Sequence, residues 1–217
     1  CTKRIFKLGY PAIVMQCLYT VYIALLNFIL AGFCDEAVTV LGLYYKLQTF
    51  FFIPFFALET CVVPIISYNY GARRPKRVKC AIITMACMAL VYTVLMWIVI
   101  INVPEFLIGI FSSSKEILVD AVPAMKLYFA AFIFMLLQYT GQTVFKSLNK
   151  KKQAIFFSLL RKVFIVVPLT YILPYVFRLG TDGVFMAEPV SNVIGGSICF
   201  IVMLCTIIPE LKGMERE

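Results

Sequence analysis

The sequence predicts an all-α membrane protein, a bundle of six transmembrane helices with both termini cytoplasmic. Three observations predict it: an apolar excess that no soluble core can use, apolar runs of spanning length, and cations that gather on one side. Hydrophobic residues make up 62% of the 217 positions and charged residues 14%, with a mean hydropathy of +0.94; soluble domains hold about 45–50% and about 25%. Lipid acts as a solvent for such a surplus, provided that backbone groups pair within helices. Six runs approach or exceed the roughly 20 mostly apolar residues that cross a bilayer: 6–33, 37–67, 80–103, 121–144, 154–177 and 184–208. Residues 1–217 are read as one membrane domain.

The first run follows Lys3, Arg4 and Lys7 and is closed by Asp35 and Glu36. The second carries Pro54 and Pro64, each a reason to bend because proline removes an intrahelical donor. It stops at Tyr68-Asn69-Tyr70-Gly71, where Gly71 is expected to supply a permissive backbone and Asn69 a side-chain bond to it. Arg73, Arg74, Lys76, Arg77 and Lys79 come next. The third run holds Trp97, and a connection from Pro104 to Asp120 follows, with Ser112, Ser113 and Ser114 at its centre. The fourth leads into Lys146, Lys150, Lys151 and Lys152; the fifth bears Arg161 and Lys162 early and Pro168 and Pro174 later. A turn through Gly180 and Gly183 opens the sixth.

With the Arg73 cluster taken as cytoplasmic, alternation puts fourteen cations on that side and only Lys115 and Arg178 opposite, while Asp35, Glu36, Glu105, Glu116, Asp120 and Asp182 fall outside. The net charge of +9 is therefore a topology signal facing anionic lipid, and nucleic acid is not an expected partner. Cys34, Cys61, Cys80, Cys87, Cys199 and Cys205 are scattered through apolar runs without paired spacing and read as small hydrophobes. The chain has no His, which excludes a His-based metal site. No nucleophile–base pair, paired carboxylate or phosphate-cradling loop is present, so neither catalysis nor a bound cofactor is expected. The chain begins at Cys1, without Met or a signal pattern, and is expected to be a piece of something longer.

Ionisable groups within a bilayer mark functional candidates, because burying a charge in lipid is costly. Lys46, Glu59, Lys126, Arg161 and Glu188 qualify by sequence depth, with interhelical ion pairs or snorkelling as the alternative. Amides form stripes: Gln16, Thr20, Ile23 and Asn27 recur so that Gln16 and Asn27 lie within about 20° on the helical wheel. Phe134, Gln138, Gln142 and Phe145 form another, and Glu188, Asn192 and Gly195 a third, with Ser191 and Gly195 spaced for close helix approach. Gln16, Asn27, Gln138, Gln142 and Glu59 are the expected lining of a polar interior; interhelical hydrogen bonding is the competing explanation.

The segment Leu43-Tyr44-Tyr45-Lys46-Leu47-Gln48-Thr49-Phe50, with Pro54 and then Val63-Pro64-Ile65-Ile66-Ser67-Tyr68-Asn69-Tyr70-Gly71-Ala72-Arg73, resembles the second helix of the C-terminal half of a bacterial multidrug and toxic compound extrusion (MATE) transporter. Gly9-Tyr10-Pro11-Ala12, Ser158-Leu159-Leu160-Arg161 with Pro168, and Glu188-Pro189-Val190-Ser191 add to the likeness, which covers essentially the whole chain. The resemblance implies one six-helix lobe of a twelve-helix protein, with an N-terminal lobe as partner, in the bacterial plasma (inner) membrane. It implies alternating access and the export of drugs or organic cations in exchange for H⁺ or Na⁺. Where relatives of the Na⁺ type carry carboxylates, this sequence holds Tyr19 or its neighbours and Gln138, which speaks against a Na⁺ site in this lobe. Pro11, Pro54, Pro64, Pro168 and Pro189 are expected to interrupt helices where such a lobe bends. A flippase for lipid-linked saccharides, needing a more cationic cavity, and a non-transporting scaffold are the other classes compatible with the sequence.

Overall fold

The computed structural model describes residues 2–32, 35–110 and 115–215. Ser112, Ser113, Ser114, Cys34 and Arg216 lie outside the described residues, as do the side chains of Lys3, Arg4, Lys7, Pro11, Asp35, Glu36, Lys115, Glu116 and Asp120. The described residues form helices only: α1 (Thr2–Ala31), α2 (Asp35–Gly71), α3 (Pro75–Asn102), α4 (Pro104–Gly109), α5 (Lys115–Tyr128), α6 (Phe132–Ser147), α7 (Lys151–Leu159), α8 (Val167–Tyr171) and α9 (Gly180–Met214). Four stretches are long and apolar enough to cross a membrane: Val38–Gly71, Pro75–Asn102, Lys151–Val176 and Gly180–Met214. The bent pair of α5 and α6 makes a fifth if counted as one span. Outward faces are apolar; α3 alone exposes Ile83, Val91, Leu95 and Ile98, a surface suited to lipid tails rather than water.

Helix ends follow local chemistry. Gly71 is the last residue of α2, and the left-handed residue is Arg73 (φ 51°), not Gly71. The Arg74 amide donates to the Asn69 carbonyl at 2.9 Å and the Arg73 amide to Tyr70 at 3.1 Å, the crossed pair of bonds that closes a helix when the residue beyond it turns left-handed. Asn69 spends its side chain on the Ile65 carbonyl (2.8 Å) instead of on the turn. Pro75 opens α3 at its first position, where its fixed φ suits a helix and its missing amide costs nothing, so Lys76, Arg77 and Lys79 lie on the helix itself. Asn149 (φ 58°) repeats the closure after α6, with Lys150 donating to Phe145 at 2.8 Å.

Two expectations about continuity are corrected. Pro54, Pro64 and Pro189 do not interrupt their helices: α2 and α9 run through them. Near Pro54, hydroxyls reach the backbone from neighbouring helices, Tyr92 donating to the Phe51 carbonyl at 3.0 Å and Tyr139 to that of Phe55 at 2.5 Å. The break falls instead in the fourth expected span, where α5 and α6 meet at 40°. No proline or glycine sits there. Phe129 and Phe132 pack edge-on and Tyr128 at a tilt around Tyr44 and Phe51 of α2, and this aromatic cluster, rather than a local breaker, fixes the corner.

Two apolar clusters occupy opposite ends of the bundle. One joins the second half of α1, the first half of α2, α5 and the start of α9 around Tyr44, Phe51, Phe129 and Phe185. The other joins the last turns of α2, the first half of α3, the end of α6 and the last half of α9 around Ile66, Met85, Phe145 and Cys199. The seam between α6 and α9 is the tightest: a Cβ on Gly196 would stand 2.7 Å from the Phe134 carbonyl oxygen, and one on Gly141 would stand 2.8 Å from Cys199 Sγ. Between them lie a smaller apolar cluster, Phe55, Ala89, Leu136 and Tyr139, and beside it a region where polar side chains from several helices face one another.

Candidate functional site

That polar region is a cavity of about 450 Å³. α1 contributes Gln16, Tyr19 and Tyr22; α2 contributes Tyr45, Gln48, Thr49, Phe52, Phe56 and Glu59; α6 contributes Gln138, Tyr139, Gln142, Thr143 and Lys146. Ser158, Arg161 and Lys162 enter from the fifth span, and Glu188 and Asn192 from α9. The α2 residues recur at helical spacing along one face, which is why a single helix can supply both the aromatic wall and a carboxylate. Arg161 and Lys162 sit where the fifth span leaves the α pitch for a π-helical stretch, Leu160–Val166. π-turns within longer helices occur often at functional positions.

Charge in the cavity is organised in three groups. Arg161 bonds Glu188 at 3.0 Å and Asn192 Oδ1 at 2.5 Å, and the Tyr22 hydroxyl donates to the other Glu188 oxygen at 2.7 Å. Side chains of both ions are largely withdrawn, 12% and 7% exposed, so each depends on the other. Gly195 makes this possible, since a Cβ there would lie 2.9 Å from Arg161 Cγ. Lys146 pairs with Glu59 at 2.9 Å in a more exposed setting. Lys162 has no carboxylate oxygen within 4.0 Å among the described residues and rests over the Tyr19 ring, 3.7 Å from its centroid.

The amides differ. Gln142 donates to Ser158 Oγ at 2.7 Å, and Gln48 accepts from Tyr128 at 3.3 Å. Gln138, 7% exposed, has neither its nitrogen nor its oxygen bonded. A buried amide without partners is costly unless something else satisfies it. Beyond the cavity, at the end bearing the Arg73 cluster, Glu210 accepts from Tyr70 and pairs with Lys150 at 2.5 Å, while Lys79 pairs with Glu215 at 3.0 Å. Those bonds tie the ends of α2, α3, α6 and α9 together.

Of the residues expected to line a polar interior, Gln16, Gln138, Gln142 and Glu59 border the cavity and Asn27 does not. On α1 the cavity face runs through Gln16, Tyr19 and Tyr22, a different stripe from the one through Asn27. Tyrosine pairs an apolar body with a polar tip and is passed over by a scan for amides. Of the expected buried charges, Arg161 and Glu188 bond each other, whereas Lys46 and Lys126 are exposed on this lobe and border no part of the cavity. Tyr68 is 73% exposed, Asn69 is buried, and Tyr70 binds Glu210. Sequence reasoning misses Tyr45, Gln48, Lys146 and Lys162 as cavity residues, although the stripe Tyr45, Gln48, Phe52, Glu59 is legible as a periodicity on α2.

Spanning helices that surround a polar cavity with paired charges suit a membrane transport protein. The family model MatE matches residues 11–172, and the chain belongs to the MatE family, whose members are transporters and not enzymes. Multidrug export protein MepA of Staphylococcus saprophyticus is 23% identical over 204 residues, covering 94% of this chain and 44% of its own length. The FAD transporter of Shewanella oneidensis is 23% identical over 198 residues, covering 91% and 43%. The chain thus spans less than half the length of these relatives. A crystal structure of MATE in the bent conformation superposes with a TM-score of 0.90 at 16% identity, over 100% of this chain and 48% of the other, a likeness of fold.

Proposed function

We infer that the chain forms one six-pass lobe of a secondary transporter that exports amphipathic organic compounds from a bacterial cell across the plasma (inner) membrane. The carrying observation is the cavity of about 450 Å³, with Phe52, Phe56 and Tyr19 as an apolar wall and the unbonded amide of Gln138 facing the same space. Concave, mostly apolar sites with a few convergent polar groups are the usual form of a small-molecule site. The likeness to the multidrug export protein supports a drug-like cargo, and the share of its length that is matched supports a second lobe across the cavity. Alternating access then consists of the two lobes rocking about the cargo, with H⁺ or Na⁺ entry as the driving force. The bias of its cations supports a cytoplasmic position for both ends of the chain.

An organic cation as cargo, implied by the resemblance, meets no free carboxylate among the described cavity residues: Glu59 and Glu188 are each bonded to a cation of the lobe. The test is flux. Full-length protein in liposomes with an imposed H⁺ or Na⁺ gradient should move a fluorescent amphipathic dye against its gradient, and Gln138→Leu with Gln142→Leu should slow it by about 10-fold or more, as expected when polar contacts to a bound solute are lost. Flux that ignores both ion gradients, or is unchanged in the double variant at equal expression, overturns this reading.

A further inference from the structure

The cavity's ionisable groups include three cations, Lys146, Arg161 and Lys162, and two carboxylates, Glu59 and Glu188. Four of these cancel in pairs at 2.9 and 3.0 Å. Lys162 is left over. It lies on the cavity wall over an aromatic ring, a contact that orients an ammonium without neutralising it. Uncompensated charge in a low-dielectric site is expensive, and in a transporter the natural relief is a ligand of opposite sign.

We propose that this lobe's cavity receives the anionic group, a carboxylate, sulfonate or phosphate, of an amphipathic organic solute, with Lys162 as its counter-ion and Gln138 as a hydrogen-bond donor. The inference rests on the transport reading above and names the charge of the cargo's polar end. Gln138 is the independent observation: it is 7% exposed, lines the cavity, and both its amide atoms lack partners. Its Nε2 group offers two donors, which suits an oxyanion. Arg161, already bonded to Glu188 and Asn192, is not free to bind. Phe52 and Phe56 take the apolar part of the solute.

The experiment compares two probes that share a pyrene body and carry head groups of opposite sign, pyrenebutyrate and pyrenebutyltrimethylammonium. Each is titrated by fluorescence polarisation into full-length protein in phosphatidylcholine nanodiscs, with binding to empty discs subtracted. Pyrenebutyrate should bind at least about 10-fold more tightly than the cation, the scale set by one unpaired charge near the head group. Lys162→Met and the polar alternative Lys162→Gln should abolish that preference, Lys162→Arg should keep it, and Gln138→Leu should weaken pyrenebutyrate alone. Tighter binding of the cationic probe, or a preference that survives in whichever of Lys162→Met and Lys162→Gln folds, overturns the proposal and leaves the transport reading standing. Binding of neither probe overturns both. Adding phosphatidylglycerol should leave the preference in place; competitive loss of pyrenebutyrate would assign the site to a lipid head group and overturn the solute reading.

Discussion

Arg161 offers the sharpest test of how the cavity is held together. At 3.0 Å from Glu188, and at an effective dielectric of about 20, the pair attracts by about 5 kcal/mol. Arg161→Met leaves the Glu188 carboxylate with the Tyr22 hydroxyl and no cation within 4.0 Å among the described residues, and should cost about 3–5 kcal/mol; Glu188→Met, which strands Arg161 against Asn192, should cost about the same. With both replaced, no charge is stranded. The remaining loss is the unsatisfied Tyr22 and Asn192 groups, about 1–3 kcal/mol. The double variant should therefore be more stable than the sum of the single costs by about 3 kcal/mol or more. Reversible unfolding in mixed detergent and SDS micelles, followed by circular dichroism, reads all four corners of the cycle. Additive costs would refute the pairing, and with it the claim that Glu188 is neutralised within the lobe.

Other outcomes arise from the same geometry. Gly196→Ala places a methyl 2.7 Å from the Phe134 carbonyl and should destabilise the α6–α9 seam by about 1–3 kcal/mol, whereas Gly213→Ala, with nothing within 4 Å, should leave the unfolding midpoint unchanged. Glu59→Gln releases a Lys146 that is 39% exposed, so its cost to stability should stay under about 1 kcal/mol while the cavity gains a second unpaired cation and binds pyrenebutyrate more tightly. Glu210→Ala removes the acceptor shared by Tyr70 and Lys150; limited proteolysis should then cut faster near Lys150, and an unchanged rate would show that the contact does not restrain that end.

Legibility in the sequence divides along a physical line. Apolar length and helical periodicity are properties of single segments, so the spanning helices, the resemblance to transporters and the amides of α6 were legible one helix at a time. Properties of pairs of helices were not. The corner after Tyr128 comes from ring packing against α2, the persistence of α2 through Pro54 is accompanied by hydroxyls on α3 and α6, and the left-handed turn at Arg73 lies two residues beyond the glycine that composition favours. The same holds for the site. Depth in the sequence marked Lys46 and Lys126 as surely as Arg161, and only the rotation of each helix in the bundle separates an exposed lysine from a guanidinium in the cavity.

The π-helical stretch Leu160–Val166 has a further consequence. Such a stretch carries more residues per turn than the α pitch, so it behaves as an insertion that the helix has absorbed without a loop. Removing a single residue between Lys162 and Val166 would restore the α pitch while leaving the two flanking helical segments close to their present relative rotation, because the tighter turn takes up what the lost residue had supplied. With Arg161 moored to α9, the change of pitch would fall on the residues after it, and the Lys162 ammonium would shift relative to the Tyr19 ring. The electrical character of the chamber therefore depends on how many residues are wound into that stretch, as well as on which ones they are.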